Sequence, residues 1–175
     1  LGERLGSSQI KISLPTESLT GRSFLELFLG HLESFSVEPP PLCIMTSDDT
    51  HSGTMALLDS LKRLYSVAKC VSTSPITLCK QETVPCFSDK AGSIALKSPG
   101  KLLLKPHGHG DVHPLVHDAC IEEWKRQGIQ YVVFFQDTNP NCFRVLPSLV
   151  GVIATASDST TSSPLDCAIA CVPRI

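Results

Sequence analysis

Short apolar runs alternate with helical stripes along most of the chain. From Ser23 to Phe35, the residues Phe24, Leu27, Phe28, Leu32 and Phe35 recur at three- and four-residue spacing, which predicts an amphipathic helix stopping near Pro39-Pro40-Pro41. Leu42 to Thr46 reads as a buried strand. Thr54 to Val67 places Leu57, Leu58, Leu61, Leu64 and Tyr65 at helical spacing, with Lys62 and Arg63 on the wet side. Ile76 to Lys80 predicts another short strand, and the Ser-, Gly- and Lys-rich stretch from Pro85 to Gly100 predicts loops with room for a hairpin. Asp111 is placed to cap a helix carrying Val112, Leu115, Val116, Ala119, Cys120 and Trp124, closed by Gly128. Tyr131 to Phe135, Leu149 to Ala156 and Cys167 to Val172 read as three further strands.

This alternation predicts an α/β fold, a mostly parallel sheet with helices on both faces. Ligands bind such sheets beyond the carboxyl ends of the strands. The polar clusters fall there: Met45 to Thr50 after one strand, Lys80-Gln81 after another, and Gln136-Asp137-Thr138-Asn139 after a third.

Composition narrows the classes. With 175 residues, 42% hydrophobic and 18% charged, the chain is one domain or part of a larger one, and neither a disordered tail nor a charged helical rod. Fifteen Lys plus Arg stand against seventeen Asp plus Glu, a net charge of −2, so no broad basic field exists to grip nucleic acid. No apolar run is long enough for a bilayer span, and no apolar stretch follows a basic start as in a signal peptide. Position 1 is Leu rather than Met, which suggests a partial chain. The eight cysteines include no C-x-x-C pair, and several sit inside apolar runs such as Leu42-Cys43-Ile44-Met45. Reduced thiols in a cytoplasmic protein are expected in preference to a disulfide scaffold.

Three segments carry candidate chemistry. Gly2 and Gly6, with Lys11 downstream, suit a turn whose N–H groups face a phosphate, although a plain surface turn uses the same residues. Lys105-Pro106-His107-Gly108-His109-Gly110-Asp111-Val112-His113 is the densest cluster. Its glycines admit close approach of a ligand, and its histidines can donate to ribose, base or phosphate. His107, His109, Asp111 and His113 are also similar to the H-x-H-x-D-H signature of binuclear metallo-hydrolases, but Val112 stands where that signature needs His. Asp137 closes an apolar run and offers an oxygen ligand suited to Mg2+, or else an Asx turn. Asp48 and Asp49 fit either a cation site or the first turn of a helix.

Taken in order, Gly2-Glu3-Arg4-Leu5-Gly6 with Ile10 to Pro15, Ile44 to His51, Lys80-Gln81-Glu82, Lys105 to His113 and Phe134 to Asn139 resemble the UDP-sugar pyrophosphorylase family, over nearly the whole chain. The resemblance is closer to the broad-specificity enzymes of plants and protists than to the UDP-glucose or UDP-N-acetylhexosamine pyrophosphorylases. It implies a uridylyltransferase that makes UDP-sugar and pyrophosphate from UTP and a sugar 1-phosphate, reversibly, with Mg2+. It also implies a Rossmann-like nucleotide-diphospho-sugar transferase sheet, here lacking an N-terminal strand and a C-terminal portion. On this resemblance, Gly2, Glu3 and Gly6 belong to the triphosphate loop, with Arg4 near the departing pyrophosphate and Lys11 on phosphate. Gln81 and Gly108 would hold the uracil edge with His109 beside the nucleotide. Asp137 would ligate the metal, and Asn139 would face the sugar phosphate. A truncated remnant that binds nucleotide without turnover is one alternative, and a metallo-hydrolase built on His107, His109, Asp111 and His113 is the other.

Overall fold

The computed structural model describes residues 9–16, 18–35, 38–64, 76–137, 139–158 and 167–169. The chain divides into two compact units, Leu1–Val133 and Phe134–Ile175.

In the first unit, helix α1 (Phe24–Phe35) begins at a reciprocal cap. The Glu26 carboxylate accepts from the Ser23 N–H at 2.7 Å, and the Glu26 N–H donates to Ser23 Oγ at 3.3 Å. Its buried face is Leu25, Phe28, Leu29 and Leu32. That stripe is rotated from the predicted one. Phe35 is exposed and Phe24 half-buried, because the i, i+3, i+4, i+7 series that closes best starts at Leu25.

Strands β1 (Leu42–Thr46) and β2 (Ile76–Lys80) have the predicted bounds and pair in parallel, Leu42 opposite Ile76 and Thr46 opposite Lys80. Helix α2 (Asp48–Leu64) joins them on one side and starts six residues before the predicted Thr54. The reason is a cap. Thr50 Oγ1 accepts from the buried Ser47 N–H at 2.8 Å, and the Thr50 and His51 N–H groups donate to Ser47 O. Asp48 and Asp49 then sit in the first turn, where the helix dipole favours carboxylates.

Two short antiparallel pairings follow. Strand β3 (Thr83–Pro85) pairs with β6 (Leu104–Pro106), and β4 (Leu96–Ser98) pairs with β5 (Lys101–Leu102). The described sheets are thus three two-stranded ones, one parallel and two antiparallel. The architecture is α/β. Next come α3 (Val112–Val116), a π-helical turn (His117–Ile121) and α4 (Glu122–Arg126). Val116, Cys120 and Trp124 form a buried stripe joined by Cys43, Val112, Ile121 and Ile129. Gly128, at φ +77°, closes the run as predicted: its N–H donates to Lys125 O and the Ile129 N–H to Trp124 O, the doubly bonded glycine stop. Asp111 makes no side-chain cap. It is bonded elsewhere.

The predicted strand Tyr131–Phe135 is not formed. Residues 131–134 are exposed and belong to none of the described ladders, and a strand exists only where a neighbouring strand takes up its N–H and C=O groups.

In the second unit, α5 (Cys142–Asp158) replaces the strand predicted over Leu149–Ala156. Cys142, Phe143, Leu146, Leu149 and Ile153 are its more buried positions, spaced at one, three or four residues. This helical period overrides the β-branched composition that suggested a strand. Phe143 is buried and meets Phe135 edge-on, ring centroids 5.3 Å apart. Of the predicted Cys167–Val172 strand, residues 167–169 are irregular and the rest lies outside the described residues. No described helix is long and apolar enough to cross a membrane.

Candidate functional site

Parallel pairing places the ends of β1 and β2 side by side, and the chain beyond each end is polar. The ladder continues one bond further, since the Gln81 N–H donates to Thr46 O at 2.8 Å. Gln81 is therefore fixed at a strand tip. After Glu82 the chain enters β3, whose partner β6 runs into His107 and Gly108. The His107 N–H donates to Glu82 O at 3.0 Å, and the Gly108 N–H donates to the Gln81 side-chain oxygen at 3.1 Å. The structure thus brings Gln81 and Gly108 together.

This bond also sets the direction of the Gln81 amide. An N–H cannot donate to an NH2 group, so Oε1 faces Gly108 and Nε2 is left as a donor. Gly108 has φ +147°, a backbone that favours glycine, and a Cβ there would meet nothing within 4 Å. Conformation, rather than crowding, selects glycine at this position.

Around this contact the charges are paired. Lys80 Nζ lies 2.9 Å from Asp48 Oδ1, both exposed, and the Asp48 hydrogen bond and charge raise the Lys80 pKa above its ordinary value. Asp48 is engaged by this lysine, which supports a reading as a helix-start carboxylate over a cation site. Thr46 Oγ1 lies 2.9 Å from His51 Nδ1. His107 Nδ1 lies 2.6 Å from Asp111 Oδ1. These pairs were not read from the sequence. Adjacency of the two strand ends would have suggested Lys80 with Asp48, while His107 and Asp111, four apart, were read as metal ligands or a cap.

The metallo-hydrolase arrangement is not formed: among the described residues, His107, His109, Asp111 and His113 do not converge as a ligand group. His109 and Asp111 share a 3-10 turn (His109–Asp111) directly after Gly108. Lys11 begins another (Lys11–Ser13), and Ile10 beside it packs against Gly53 of α2, 3.2 Å from where a Cβ would stand. Gly2, Glu3, Arg4 and Gly6 lie outside the described residues. In the second unit, Asp137 and Asn139 are both exposed in a turn where the Asn139 N–H donates to Gln136 O at 3.1 Å.

Among proteins of known identity, the UDP-sugar pyrophosphorylase of Oryza sativa subsp. indica is 39% identical over 176 residues, 93% of this chain and 28% of the rice protein. The UDP-sugar pyrophosphorylase of Arabidopsis thaliana is 38% identical over 169 residues, 89% of this chain and 27% of that protein. This chain is a homologue of the UDP-sugar pyrophosphorylases. It spans between a quarter and a third of the length of these curated relatives. No protein-family profile matches it. The fold agrees with that kinship. A crystal structure assigned as a UDP-N-acetylglucosamine pyrophosphorylase from Entamoeba histolytica superposes with a TM-score of 0.66 at 21% identity, over 89% of this chain and 40% of that one. A variant UDP-glucose pyrophosphorylase from Leishmania major in complex with UDP-glucose gives 0.54 at 19% identity, over 82% and 32%.

Proposed function

We propose that this chain is part of the catalytic domain of a uridylyltransferase that converts UTP and a sugar 1-phosphate to a UDP-sugar and pyrophosphate. The Gln81–Gly108 hydrogen bond, standing at the strand tips in a homologue of UDP-sugar pyrophosphorylases, carries the reading. Uracil presents two carbonyl acceptors flanking one N–H donor. A glutamine amide locked with its NH2 outward donates to one carbonyl, and the glycine lets the base lie close to the backbone. On this reading β1 and β2 belong to a mostly parallel, Rossmann-like sheet with helices on both faces, and His109 flanks the nucleotide.

The sugar phosphate oxygen attacks the α-phosphorus of UTP in line. A bond to that phosphorus forms as the bond to the pyrophosphate oxygen breaks, and no covalent enzyme intermediate is required. Catalysis is then positioning plus neutralisation of spreading negative charge. Lys11 and Arg4 supply positive charge, the loop from Gly2 through Glu3 to Gly6 wraps the triphosphate, and Asn139 faces the sugar phosphate. Asp137 fits Mg2+: it is an exposed, hard oxygen donor, and Mg2+ completes its shell with water and phosphate oxygens rather than a protein cage. When bound, the metal neutralises phosphate charge.

The test compares pyrophosphate release from UTP and glucose 1-phosphate with UTP binding by calorimetry, for this chain and for a version extended to the relatives' length. Turnover dependent on Mg2+ and lost on the order of 10²–10³-fold in Asp137→Ala is expected. Binding without turnover in both versions would select a nucleotide-binding protein instead.

A further inference from the structure

Three cysteines distant in sequence converge in the interior of the first unit. Cys43 lies on β1, Cys79 on β2 and Cys120 in the π-helical turn, and their sulfur atoms all lie within 4.8 Å of one another. Cys43 and Cys79 are 3.3 Å apart, sulfur to sulfur. Parallel register explains the meeting. Cys43 is opposite Thr77, so Cys79 is its diagonal neighbour two positions on and points from the same face. The helical run packs on that face, and the turn bearing Cys120 is the one that departs from α geometry, a departure common at functional sites. Cys79 and Cys120 are 6% and 4% exposed.

We propose that Cys43, Cys79 and Cys120 form a binding site for a trivalent thiophilic metalloid, with arsenic(III) as the type ion. Among the described residues this is the one group of three or more His, Cys, Asp or Glu side chains close enough to share an ion, and all its donors are soft sulfur. Charge selects the ion. Three thiolates around Zn2+ would leave a net negative charge in an apolar core, and among the described residues no further His, Cys, Asp or Glu joins the group as the fourth ligand that zinc takes. Arsenic(III) uses three ligands and gives a neutral adduct. The step is a condensation: arsenous acid exchanges its three hydroxyls for the three sulfurs, each S–H proton leaves with a hydroxyl as water, and no atom changes oxidation state.

The experiment incubates the reduced full chain with sodium arsenite or with zinc chloride, desalts it, and measures bound metal by native mass spectrometry. One arsenic per chain is expected, with the mass of three protons lost and a shell of three sulfurs in X-ray absorption at the arsenic edge. Cys43→Ala and Cys120→Ala should lose the retained arsenic, whereas Cys86→Ala, Cys70→Ala and Cys171→Ala should keep it. No retained arsenic, a shell with oxygen replacing sulfur, loss in Cys86→Ala, Cys70→Ala or Cys171→Ala, or stoichiometric zinc retained in its place would each overturn the assignment. The shell and stoichiometry come from the unmutated chain, and the three controls exclude sites elsewhere, so the outcome stands even where a core variant fails to fold.

Discussion

Gln81 and Gly108, 27 residues apart, are joined by one hydrogen bond from the glycine N–H to the glutamine side-chain oxygen. The glycine end of this bond is held by backbone conformation. Gly108→Ala should cost about 1–3 kcal/mol, the range for a non-glycine residue in a sparsely populated backbone region, and should weaken UTP binding. Gly110→Ala, where φ is not positive and the space is equally open, should change both far less. Thermal unfolding and calorimetry on the two variants check the contrast, and equal effects would refute it.

Asp111 steadies the loop from the other side through His107. Asp111→Asn keeps size but weakens a charge-assisted bond, worth about 1 kcal/mol net, so roughly a fivefold rise in the UTP dissociation constant is expected. Isothermal titration at fixed salt measures it. An unchanged affinity would free His107 from any part in shaping the loop.

The start of α2 rests on Thr50. Ser47 is buried, and its N–H donates to the Thr50 hydroxyl. Thr50→Val fills the same volume without an acceptor, leaving that N–H unsatisfied at roughly 1–3 kcal/mol. Thr50→Ser should restore most of the loss. Urea midpoints across the three proteins give the comparison.

Thiol burial predicts a pH dependence. Burial first, and then hydrogen bonding to Cys79, raises the Cys43 pKa far above its ordinary value of 9.0. The folded chain keeps this proton where the unfolded chain releases it. The contribution is therefore complete below pH 9.0 and falls as pH rises beyond it. Urea midpoints should drop between pH 8 and pH 10, and the drop should shrink in Cys43→Ala. Identical slopes for the two proteins would remove Cys43 as the cause.

Some of this was legible in the sequence because local pattern and tertiary outcome agree. β1 and β2 match to the residue, since each is a five-residue apolar run ended by polar groups. The α2 start was missed because Ser47, Asp48 and Thr50 carry no apolar period, and their role is capping. The α5 segment misled because Val150, Val152 and Ile153 favour strands one by one, while the period that governs them spans Cys142 to Ile153. Tyr131 to Phe135 shows the opposite failure: strand-forming composition without a partner ladder among the described residues. The Gln81–Gly108 pair entered only through family resemblance, because no spacing rule links residues across a hairpin excursion. Nor did spacing reveal the three thiols. Their meeting depends on parallel register and on how the π-helical turn lies over the sheet.

The β3–β6 ladder closes immediately beside Gln81 and Gly108, with Thr83 opposite Pro106. Residues 86–103 beyond it are held by bonds within the excursion and to its base, among them the Ala95 N–H to Cys86 O and the Leu103 N–H to Ala95 O. The ladder therefore acts as a collar. Whatever is added to or trimmed from the protrusion above it, at the modest entropic penalty of a longer loop, the gap between glutamine and glycine below keeps its width. Evolution has here a spot where chain length can drift while the Gln81–Gly108 corner stays as it is.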